Sequence, residues 1–550
     1  MAVLKIGDLL ISKGLLTKEQ FRVAMCQQGV TGNLLGDTII RLGFVSSTEM
    51  GQALAEQAGI EFVDLSRYTI SEEALHMVPR ETAESTGFLP LDLQDGVLSI
   101  GITNPSNIRA IDTAARLSGA PPKVFMVDSE TFYEMLEKAY FFLRHPIAER
   151  VEGYTAEIKK GAAISGSMIS TLTELLVMDG IRRNATDIHI TPEAEALHIF
   201  CRIDGVLQHI YCLPKAVHNG IVSRLKILAN LDIAEQRLPQ DGSFSFSLMN
   251  NVYEMRLSLI PTIHGENIVI RILSGSSPLM SMAGLGFDGE ETGRLRQLFS
   301  KPHGLIMVAG PTGSGKTTTL YSALREINVI ERNVLTVEDP VEYKLSIVRQ
   351  TQVSAKTGYD FAVAGRSFMR QDPDAMLIGE IRDEETASIA IRASITGHLV
   401  LSTVHTNDAV TAIPRLIDLG VDRFLLSSAL LAVVAQRLVR KVCVRCAEPY
   451  SFAPGELKGM GFGDVDEKGV KAVRAKGCAA CNQTGYLGRT AIGEILIIDD
   501  EIRELIYCGG SVNSIKEKAV ARGMKTMRDN GIYKASEGIT TFDEVLRVVG

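Results

Sequence analysis

From position 310 the chain reads Gly310-Pro311-Thr312-Gly313-Ser314-Gly315-Lys316-Thr317-Thr318. An apolar run typical of a buried strand, 305–309, precedes it, and a helix-forming run, 320–324, follows. This order of strand, glycine-rich turn, Lys-Thr and helix is that of a phosphate-binding loop in an α/β protein. Its glycines let backbone N–H groups face phosphate oxygens. We predict that all nine residues bind nucleotide, with Lys316 on the β- and γ-phosphates of ATP and the Thr317 hydroxyl on Mg²⁺.

The bulk composition is that of a soluble, multidomain protein. The chain has 550 residues, of which 45% are hydrophobic and 22% charged, and its length predicts about three or four domains. No run approaches the ~18 apolar residues of a membrane span, and the start shows no signal-peptide pattern, so we expect a cytoplasmic protein. The net charge of −8 argues against a broadly basic nucleic-acid motor, so no nucleic-acid partner is expected.

Two further apolar runs end in carboxylates. The run 334–337 leads into Glu338 and Asp339, and the run 375–378 leads into Glu380. Parallel strands carry their carboxyl ends to the sheet edge where ligands bind, so these side chains are expected beside the phosphates. Glu338 and Glu380 are candidates for the general base and the water-orienting residue, in either order. Asp339 is a candidate for holding Mg²⁺-bound waters, unless these acids belong to an exposed turn.

Two of the ten histidines flank one apolar strand. His398 precedes the run 399–404, and His405 follows it. Histidine titrates near neutral pH, so one at a strand end can respond to the charge of a γ-phosphate. Both are therefore candidates for reporting the state of the nucleotide. The alternative is that both histidines are structural residues whose hydrogen bonds are made within the fold.

Upstream of the loop, alternating residues and turns predict a sheet over residues 167–274. Two arginines lie on its last strands, Arg256 on 254–260 and Arg271 on 267–273. A solvated sheet face is the ordinary place for such residues. Because the following domain binds ATP, we also consider that they reach the γ-phosphate on a neighbouring subunit.

Four of the eight cysteines form two pairs. They are Cys443, Cys446, Cys478 and Cys481, and the insert 447–477 separates the pairs. In a reducing compartment two CxxC pairs favour metal over disulfides, and four thiolates suit tetrahedral Zn²⁺. With every position filled by sulfur, the metal is predicted to be structural. Unliganded thiols or a redox pair are the alternatives.

Taken in order, these blocks resemble the secretion ATPase superfamily, which powers type II secretion and type IV pilus assembly. The blocks that carry the resemblance are the phosphate-binding loop, 336–342, 378–383 and 396–407, with 185–190, 237–242 and 261–266 upstream. The resemblance implies an α/β, multidomain chain with a RecA-like ATPase domain, a PAS-like α/β domain before it, an N-terminal helical plus α/β region and a tetracysteine zinc subdomain. It also implies that Arg256 and Arg271 reach the nucleotide.

The same resemblance implies partners and a direction. They are a homohexamer, an inner-membrane platform protein and a cytoplasmic adaptor docked by residues 1–140, which would hold this hydrolase at the inner membrane. In the family the tetracysteine segment marks the assembly ATPases, so we expect subunits to be added to a type IV pilus or a type II secretion pseudopilus. The rivals are a retraction or DNA-transport ATPase and a cyclic di-GMP-responsive, nucleotide-gated module with little turnover.

An internal repeat occupies the start of the chain, where residues 6–16 match residues 35–45. A duplicated helical hairpin that packs on itself, or docks a partner, explains such a repeat. The copies also resemble the tandem motif of a cyclic di-GMP-binding domain on some secretion and pilus ATPases. By that likeness the ligand would meet Lys5, Gly7, Gly14, Gln28, Gly36, Gly43 and Gln57. Lys5 and Leu34 stand where that motif has arginine, so both explanations stay open.

These observations predict the following division of the chain. Residues 1–60 form the helical repeat segment, 61–145 a small α/β domain, 146–166 a linker, 167–274 the PAS-like domain, 275–287 a second linker, and 288–550 the ATPase domain with the zinc subdomain at 441–485.

Overall fold

The computed structural model describes residues 6–550 apart from 66, 67, 69, 274–279, 454, 464, 466–469 and 479–480. The chain forms two compact units. Unit 1 joins residues 1–57 to residues 278–550, and unit 2 comprises residues 58–277. The α/β fold class expected from the sequence is confirmed.

The internal repeat folds as two helical hairpins. Its helices are α1 (Ile6–Ser12), α2 (Lys18–Thr31), α3 (Leu35–Arg41) and α4 (Ser47–Ala58). Thr17 caps α2 with a reciprocal bond to Gln20, which satisfies two backbone N–H groups at the helix start. The hairpins share a core around Leu10 and Ile39, and Val329 and Ile330 of the same unit pack against this core.

Unit 2 begins with a small α/β layer. Its elements are β1 (Glu61–Phe62), α5 (Glu72–Met77), α6 (Arg80–Thr86), β2 (Phe88–Gln94), β3 (Val97–Ile102), α7 (Ile108–Ser118), β4 (Lys123–Met126) and α8 (Ser129–Arg144). The four strands form one sheet in the order β1-β4-β3-β2.

A six-stranded sheet makes the rest of unit 2. Its elements are α9 (Ile147–Lys159), α10 (Gly166–Arg182), β5 (Asp187–Pro192), β6 (Ala196–Ile203), β7 (Val206–Pro214), α11 (His218–Leu228), β8 (Gln240–Leu248), β9 (Asn251–Thr262) and β10 (Gly265–Leu273). The order is β7-β6-β5-β10-β9-β8, with antiparallel neighbours throughout. The alternating burial of β9 places one face against the core and one face toward solvent.

Unit 1 then continues into a seven-stranded sheet. Its elements up to the last strand are α12 (Gly289–Phe299), β11 (Gly304–Ala309), α13 (Lys316–Glu326), β12 (Val334–Glu338), β13 (Arg349–Gln352), α14 (Phe361–Phe368), β14 (Ala375–Ile378), α15 (Glu384–Ile395), β15 (Leu399–Val404), α16 (Ala412–Asp418), α17 (Arg423–Ala429), β16 (Leu430–Val442), β17 (Ala447–Pro449), α18 (Glu456–Gly459), β18 (Val473–Ala475) and β19 (Tyr486–Ile497). The sheet order is β13-β12-β14-β15-β11-β16-β19, and only β19 pairs in the antiparallel sense.

The central strands of this sheet are buried along their whole length. Such continuous apolar strands are expected in a parallel sheet, because crossover helices cover both of its faces. Two separate clusters of buried side chains form its core. The last helices, which close the unit, are α19 (Asp500–Cys508), α20 (Val512–Ala521), α21 (Met527–Ser536) and α22 (Phe542–Val549).

The two predicted linkers need correction. The first, 146–166, is mostly the helix α9, whose Ile147 and Val151 are buried in the core of unit 2. The sequence suggested a linker because the glycines and lysines of this stretch interrupt its apolar residues, so the helical spacing of those residues is hard to recognise. Of the second, 275–287, residues 275–279 lie outside the described residues, whereas Met282 and Phe287 are buried in the core beside the seven-stranded sheet.

Among the described residues, no helix combines the length and the apolar character that crossing a bilayer requires.

Candidate active site

Four neighbouring strands bring the predicted catalytic segments to one edge. The sheet order β12-β14-β15-β11 is parallel throughout, so all four strands end on the same side. The loop starting at Gly310 follows β11, the acidic segments follow β12 and β14, and His405 follows β15. This is the edge at which open α/β sheets bind ligands.

The phosphate-binding loop is held in a shape that needs glycine. Gly310 has a φ of 151°, and a Cβ there would lie 2.5 Å from the Ser314 hydroxyl oxygen. Gly315, with a φ of 88°, leads into α13, whose first backbone N–H groups have no intrahelical acceptor. The Lys316 ammonium donates to the carbonyls of Gly310 at 2.8 Å and Pro311 at 3.0 Å. The loop therefore forms a cradle of backbone donors with the lysine folded over it.

Glu338 is buried in a hydrogen-bond network. Its Oε1 accepts from the Thr336 hydroxyl at 2.6 Å and the Gln350 amide at 3.1 Å, and its Oε2 accepts from the Tyr321 hydroxyl. The Gln350 amide also donates to the Tyr343 carbonyl at 2.8 Å. The bonds of Glu338 thus connect α13, β12 and β13 with the segment that follows Asp339. Asp339 itself is exposed.

Glu342 lies on that segment beside the predicted magnesium ligand. Glu342 is exposed, and its carboxylate lies near enough to the Thr317 hydroxyl for that group to favour the charged form of the acid. Desolvation, followed by the nearby charge of Glu338, raises the pKa of Glu342 above its usual value, although the nearby Thr317 hydroxyl opposes the shift. A carboxylate with a raised pKa next to a magnesium position is suited to accept a proton.

A second carboxylate faces the loop from β14. Glu380 is mostly buried and pairs with Arg382 at 2.5 Å, and the His405 Nε2 lies 3.8 Å from the same oxygen. Burial lowers the pKa of Lys316, and the charge of Glu380 opposes this shift. Burial and then the charge of Lys316 lower the pKa of His405. The structure therefore brings Lys316, Glu380 and His405 together.

His398 is not part of this group. It precedes β15, whereas the phosphate-binding edge follows the last residue of that strand. A strand of this length spans roughly 20 Å. The His398 Nδ1 lies 3.0 Å from the Ala393 carbonyl oxygen, which satisfies it within the fold. Because His398 and His405 flank one strand, they lie at its opposite ends, and within one chain only His405 lies at the end that carries the loop.

Arg256 and Arg271 share the exposed face of the sheet in unit 2. They lie directly opposite each other on β9 and β10 and line a concavity of about 640 Å³. The Arg271 Nε donates to the Asp187 carboxylate at 2.9 Å, and Asp187 is buried. Two cations at adjacent positions repel each other, so Asp187 offsets part of their charge and orients Arg271. The pair suits an anionic ligand.

The four cysteines form a compact cluster. The Sγ–Sγ distances are 3.9 Å for Cys443–Cys478, 3.8 Å for Cys446–Cys481 and 3.7 Å for Cys478–Cys481. Tetrahedral Zn–S bonds of 2.3 Å require sulfurs about 3.8 Å apart. Burial disfavours the thiolate of Cys481, but backbone N–H donors of Cys478 and Gly485 outweigh it and lower the pKa of Cys481 to about 7. The cluster therefore fits Zn²⁺.

The residues predicted to meet cyclic di-GMP have varied surroundings. Lys5 lies outside the described residues. A Cβ on Gly7 would lie 2.4 Å from the Phe21 ring, so packing of α1 on α2 requires glycine there. Gly14 and Gly43 end helices with positive φ, Gly36 lies in α3, Gln57 lies in α4, and the Gln28 amide donates to the Asn33 carbonyl at 3.1 Å.

The Gly43 position also touches the seven-stranded part of unit 1. The Gly43 carbonyl accepts from the Nε of Arg325 at 3.3 Å, and the same guanidinium pairs with Glu49 at 2.7 Å. Arg325 lies in the last turn of α13, the helix that begins at Lys316. The second copy of the repeat therefore rests on the helix that follows the phosphate-binding loop.

Comparison with known proteins assigns the chain to a family. A family model described as "Type II/IV secretion system protein" matches residues 162–547. The chain belongs to this family. The type IV pilus assembly ATPase PilB of Myxococcus xanthus is 35% identical over 556 residues, which cover 98% of each chain. The type II secretion system protein E of Xanthomonas campestris pv. campestris is 37% identical over 521 residues, which cover 92% of each.

Two more matches concern the parts of this secretion ATPase. The "MshEN domain" model matches residues 58–142. The Legionella pneumophila ATPase DotB matches 69% of this chain and 95% of its own, at 21% identity and a TM-score of 0.51, which shows a common fold. The family resemblance drawn from the sequence is confirmed, and the chain is an ATP hydrolase.

The loop of this secretion ATPase fits ATP with Mg²⁺. The close approach at Gly310 leaves no room for a side chain, and the buried Ser314 hydroxyl has no partner among the described residues. Lys316 and the backbone donors of the loop would hold the phosphates, and Thr317 would hold the metal, which supplies charge stabilisation when bound.

Two residues of this site were given no role from the sequence, Glu342 and Gln436. Glu342 ends the acidic segment after β12, and three acids within five residues could have marked it. Gln436 is a single buried amide in the apolar strand β16, so its polarity was the available signal.

Proposed function

We propose that this ATPase forms a homohexamer that couples ATP hydrolysis to assembly of a type IV pilus or a type II secretion pseudopilus. The ring would act on an inner-membrane platform protein, with a cytoplasmic adaptor docked by residues 1–140, and would thus be held peripherally at the inner membrane. The arginine pair carries this proposal, because Arg256 and Arg271 lie side by side in an exposed concavity, where two cations suit an anionic group. The two relatives named above, a pilus assembly ATPase and a type II secretion protein, support the machine class.

For the chemical step we propose Glu342 as the general base. Its nearness to the Thr317 hydroxyl supports a role beside the magnesium position, and its raised pKa favours proton uptake. Glu338 would position the segment carrying Glu342 through its three donors. Glu380 and His405 would orient water and respond to the γ-phosphate, and Asp339 would hold metal-bound waters.

A subunit-mixing experiment tests the ring. Lys316→Ala is expected to lower turnover about 10²–10³-fold, and Arg271→Ala about 10³-fold, because each removes positive charge from the developing phosphate charge. If Arg271 acts on a neighbouring subunit, mixed rings of the two variants contain some intact sites. Turnover in an equimolar mixture should then recover to at most about a quarter of wild type.

The matched control mixes Lys316→Ala with Glu342→Gln. Both changes damage the same nucleotide-binding protomer, so no arrangement of these subunits restores an intact site. Native mass spectrometry would verify that mixed rings form in both experiments. Mixed rings of Lys316→Ala and Arg271→Ala without recovered turnover would contradict the action of Arg271 on a neighbour.

A regulatory role for the repeat is favoured by one observation. The Arg325 contact joins Gly43, one of the residues predicted to meet cyclic di-GMP, to the helix that begins at Lys316. We propose that cyclic di-GMP binds the repeat and changes turnover through this contact. Calorimetry of the full chain should show heat at micromolar cyclic di-GMP, and no heat at high micromolar ligand would remove this role.

The ion pair itself can be tested by charge reversal. Arg325→Glu is expected to release the second copy of the repeat, because the pair is mostly buried, with side-chain exposures of 11% and 15%. Hydrogen exchange of α3 and α4 should accelerate by more than about tenfold, and any effect of cyclic di-GMP on turnover should vanish. The double variant Glu49→Arg/Arg325→Glu should restore both properties.

The control for this reversal is Lys13→Glu, which breaks a more exposed ion pair with Glu56 inside the repeat. It should leave exchange of α4 nearly unchanged. Desolvation raises the pKa of Glu49, but Arg325 and Ser46 outweigh it and hold that pKa below its usual value. The pair therefore stabilises docking at neutral pH, and docking should weaken only as pH falls through this depressed pKa. Equal exchange in both single variants would contradict the proposed contact.

A further inference from the structure

A buried glutamine touches the phosphate-binding loop from the neighbouring strand. Gln436 lies on β16 and is 1% exposed. Its Nε2 donates to the Ser314 carbonyl at 2.8 Å, and its Oε1 accepts from the Thr319 hydroxyl at 2.7 Å. One amide therefore bonds to the chain on both sides of the segment 315–318.

The bracketed segment contains the residues that hold phosphate and metal, Lys316 and Thr317. Ser314 is the last loop residue before the turn at Gly315, and Thr319 lies in the first turns of α13. The amide therefore fixes the angle at which the helix leaves the loop. That angle sets where the first backbone N–H groups of the helix point.

The strand that carries Gln436, β16, is hydrogen-bonded to β11, the strand that leads into the loop. Next to Gln436, Ala435 pairs with Ala309, the last residue of the strand before the loop. The backbone of Gln436 also approaches the loop, since a Cβ on Gly310 would lie 2.6 Å from its carbonyl oxygen. A Cβ on Gly315 would lie 3.0 Å from its Nε2. The absence of a side chain at Gly310 and Gly315 therefore lets the loop pack closely against Gln436 and also leaves room for phosphate.

We propose that Gln436 is a positioning residue that sets the shape of the phosphate-binding loop and thereby the affinity for ATP. It acts through Ser314 and Thr319 and does not itself touch the reacting atoms. The inference rests on ATP hydrolysis at this loop and does not depend on the hexamer or on the identity of the assembled fibre.

The chemistry of the amide explains why this position needs glutamine. It offers a donor and an acceptor at one tip, and the two bonds use one of each. Glutamate has nearly the same shape but only acceptors when ionised, so it would face the Ser314 carbonyl without a proton. Methionine fills a similar volume and makes neither bond.

The test compares two variants that each lose buried hydrogen bonds of an amide side chain, one beside the loop and one elsewhere. Gln436→Met is expected to raise the KM for ATP and the Kd for ADP about tenfold, with a smaller change in kcat, because the bonds organise the loop before nucleotide binds. The matched control is Asn530→Leu. Asn530 is also a buried amide, but it lies away from the loop and donates to the Glu291 carboxylate over 2.8 Å. This control variant should lower Tm by a similar amount and change the KM less than about twofold.

A second pair of variants covers the case in which Gln436→Met fails to fold. Thr319→Val removes only one of the two bonds and keeps the side-chain shape, so the KM for ATP should rise about threefold. Gln436→Glu keeps the Thr319 bond and should raise the KM more than Thr319→Val does. A lowered Tm with unchanged KM and Kd, in Gln436→Met or in Thr319→Val, would overturn the proposal in favour of a purely structural glutamine.

Discussion

Glu342→Gln is expected to lower kcat about 10²–10⁴-fold, the range over which general bases contribute to catalysis. The KM for ATP should change little, because the amide keeps the shape of the side chain and an oxygen that can accept a hydrogen bond. The measurement is steady-state hydrolysis with Mg²⁺ over a range of ATP concentrations, together with Tm as a check on folding.

The matched comparison is Glu338→Gln, the same chemical change at the neighbouring carboxylate. Glu338 is 4% exposed and accepts from three side-chain donors, so the variant places an amide N–H against donors. We expect its main effect to be a lowered Tm, since mismatched buried polar groups typically cost about 1–3 kcal/mol. A larger loss of kcat in Glu338→Gln than in Glu342→Gln, with an unchanged Tm, would return the role of base to Glu338.

The dependence of kcat on pH separates the two carboxylates further. Desolvation and the charge of Glu338 raise the pKa of Glu342, so turnover in the wild type should fall as pH drops through a value above 4.5. Glu338→Gln removes the neighbouring charge, so this acid limb should move to lower pH. An acid limb that stays in place in Glu338→Gln would show that another group controls it.

The sequence predicted the sheet edge well because local signals coincide with strand ends. The apolar runs before Gly310, Glu338 and Glu380 became β11, β12 and β14, and parallel pairing brought their ends together. The roles within the edge were harder to predict, because burial separates chemically equal residues. Glu338 and Glu342 stand four positions apart, yet Glu338 is buried and accepts a bond from Tyr321, whereas Glu342 is exposed.

Other features depended on contacts between distant segments. Strand direction decides which of His398 and His405 reaches the loop, and an apolar run alone gives no direction within the sheet. The repeat predicted helical hairpins, but the Arg325–Glu49 pair joins residues far apart in the chain. The bonds of Gln436 likewise arise only once β16 pairs with β11.

Loss of metal from the cysteine cluster is expected to unfold the segment between Cys443 and Cys481 while the central sheet persists. The purified chain should contain one Zn²⁺, and Cys481→Ser should lose it. Structural zinc binds with about 10–16 kcal/mol in small peptides, which is enough to hold a segment of this size folded. Its strands β17 and β18 have three residues each, and two short strands alone are at best marginally stable in water.

The remaining support for the segment comes from the last two helices. Leu457 and Phe462 are buried in a cluster with Ala535 of α21 and Phe542 of α22. The rings of Phe462 and Phe542 meet edge to face at 5.2 Å between centroids. Loss of zinc should therefore also expose α22, so hydrogen exchange should rise there as well as in the segment itself. Exchange in β11 and β15 should stay slow, because these strands are buried in the centre of the sheet.

The control variant is Cys508→Ser, which changes an exposed cysteine outside the cluster. It should keep one zinc per chain and the exchange pattern of the wild type. Metal analysis under reducing conditions and hydrogen exchange of both variants complete the test. If the wild type holds no metal and Cys481→Ser exchanges like Cys508→Ser, the four sulfurs are unliganded thiols or a redox pair. In that case the side-chain cluster around Phe542 must hold the segment by itself.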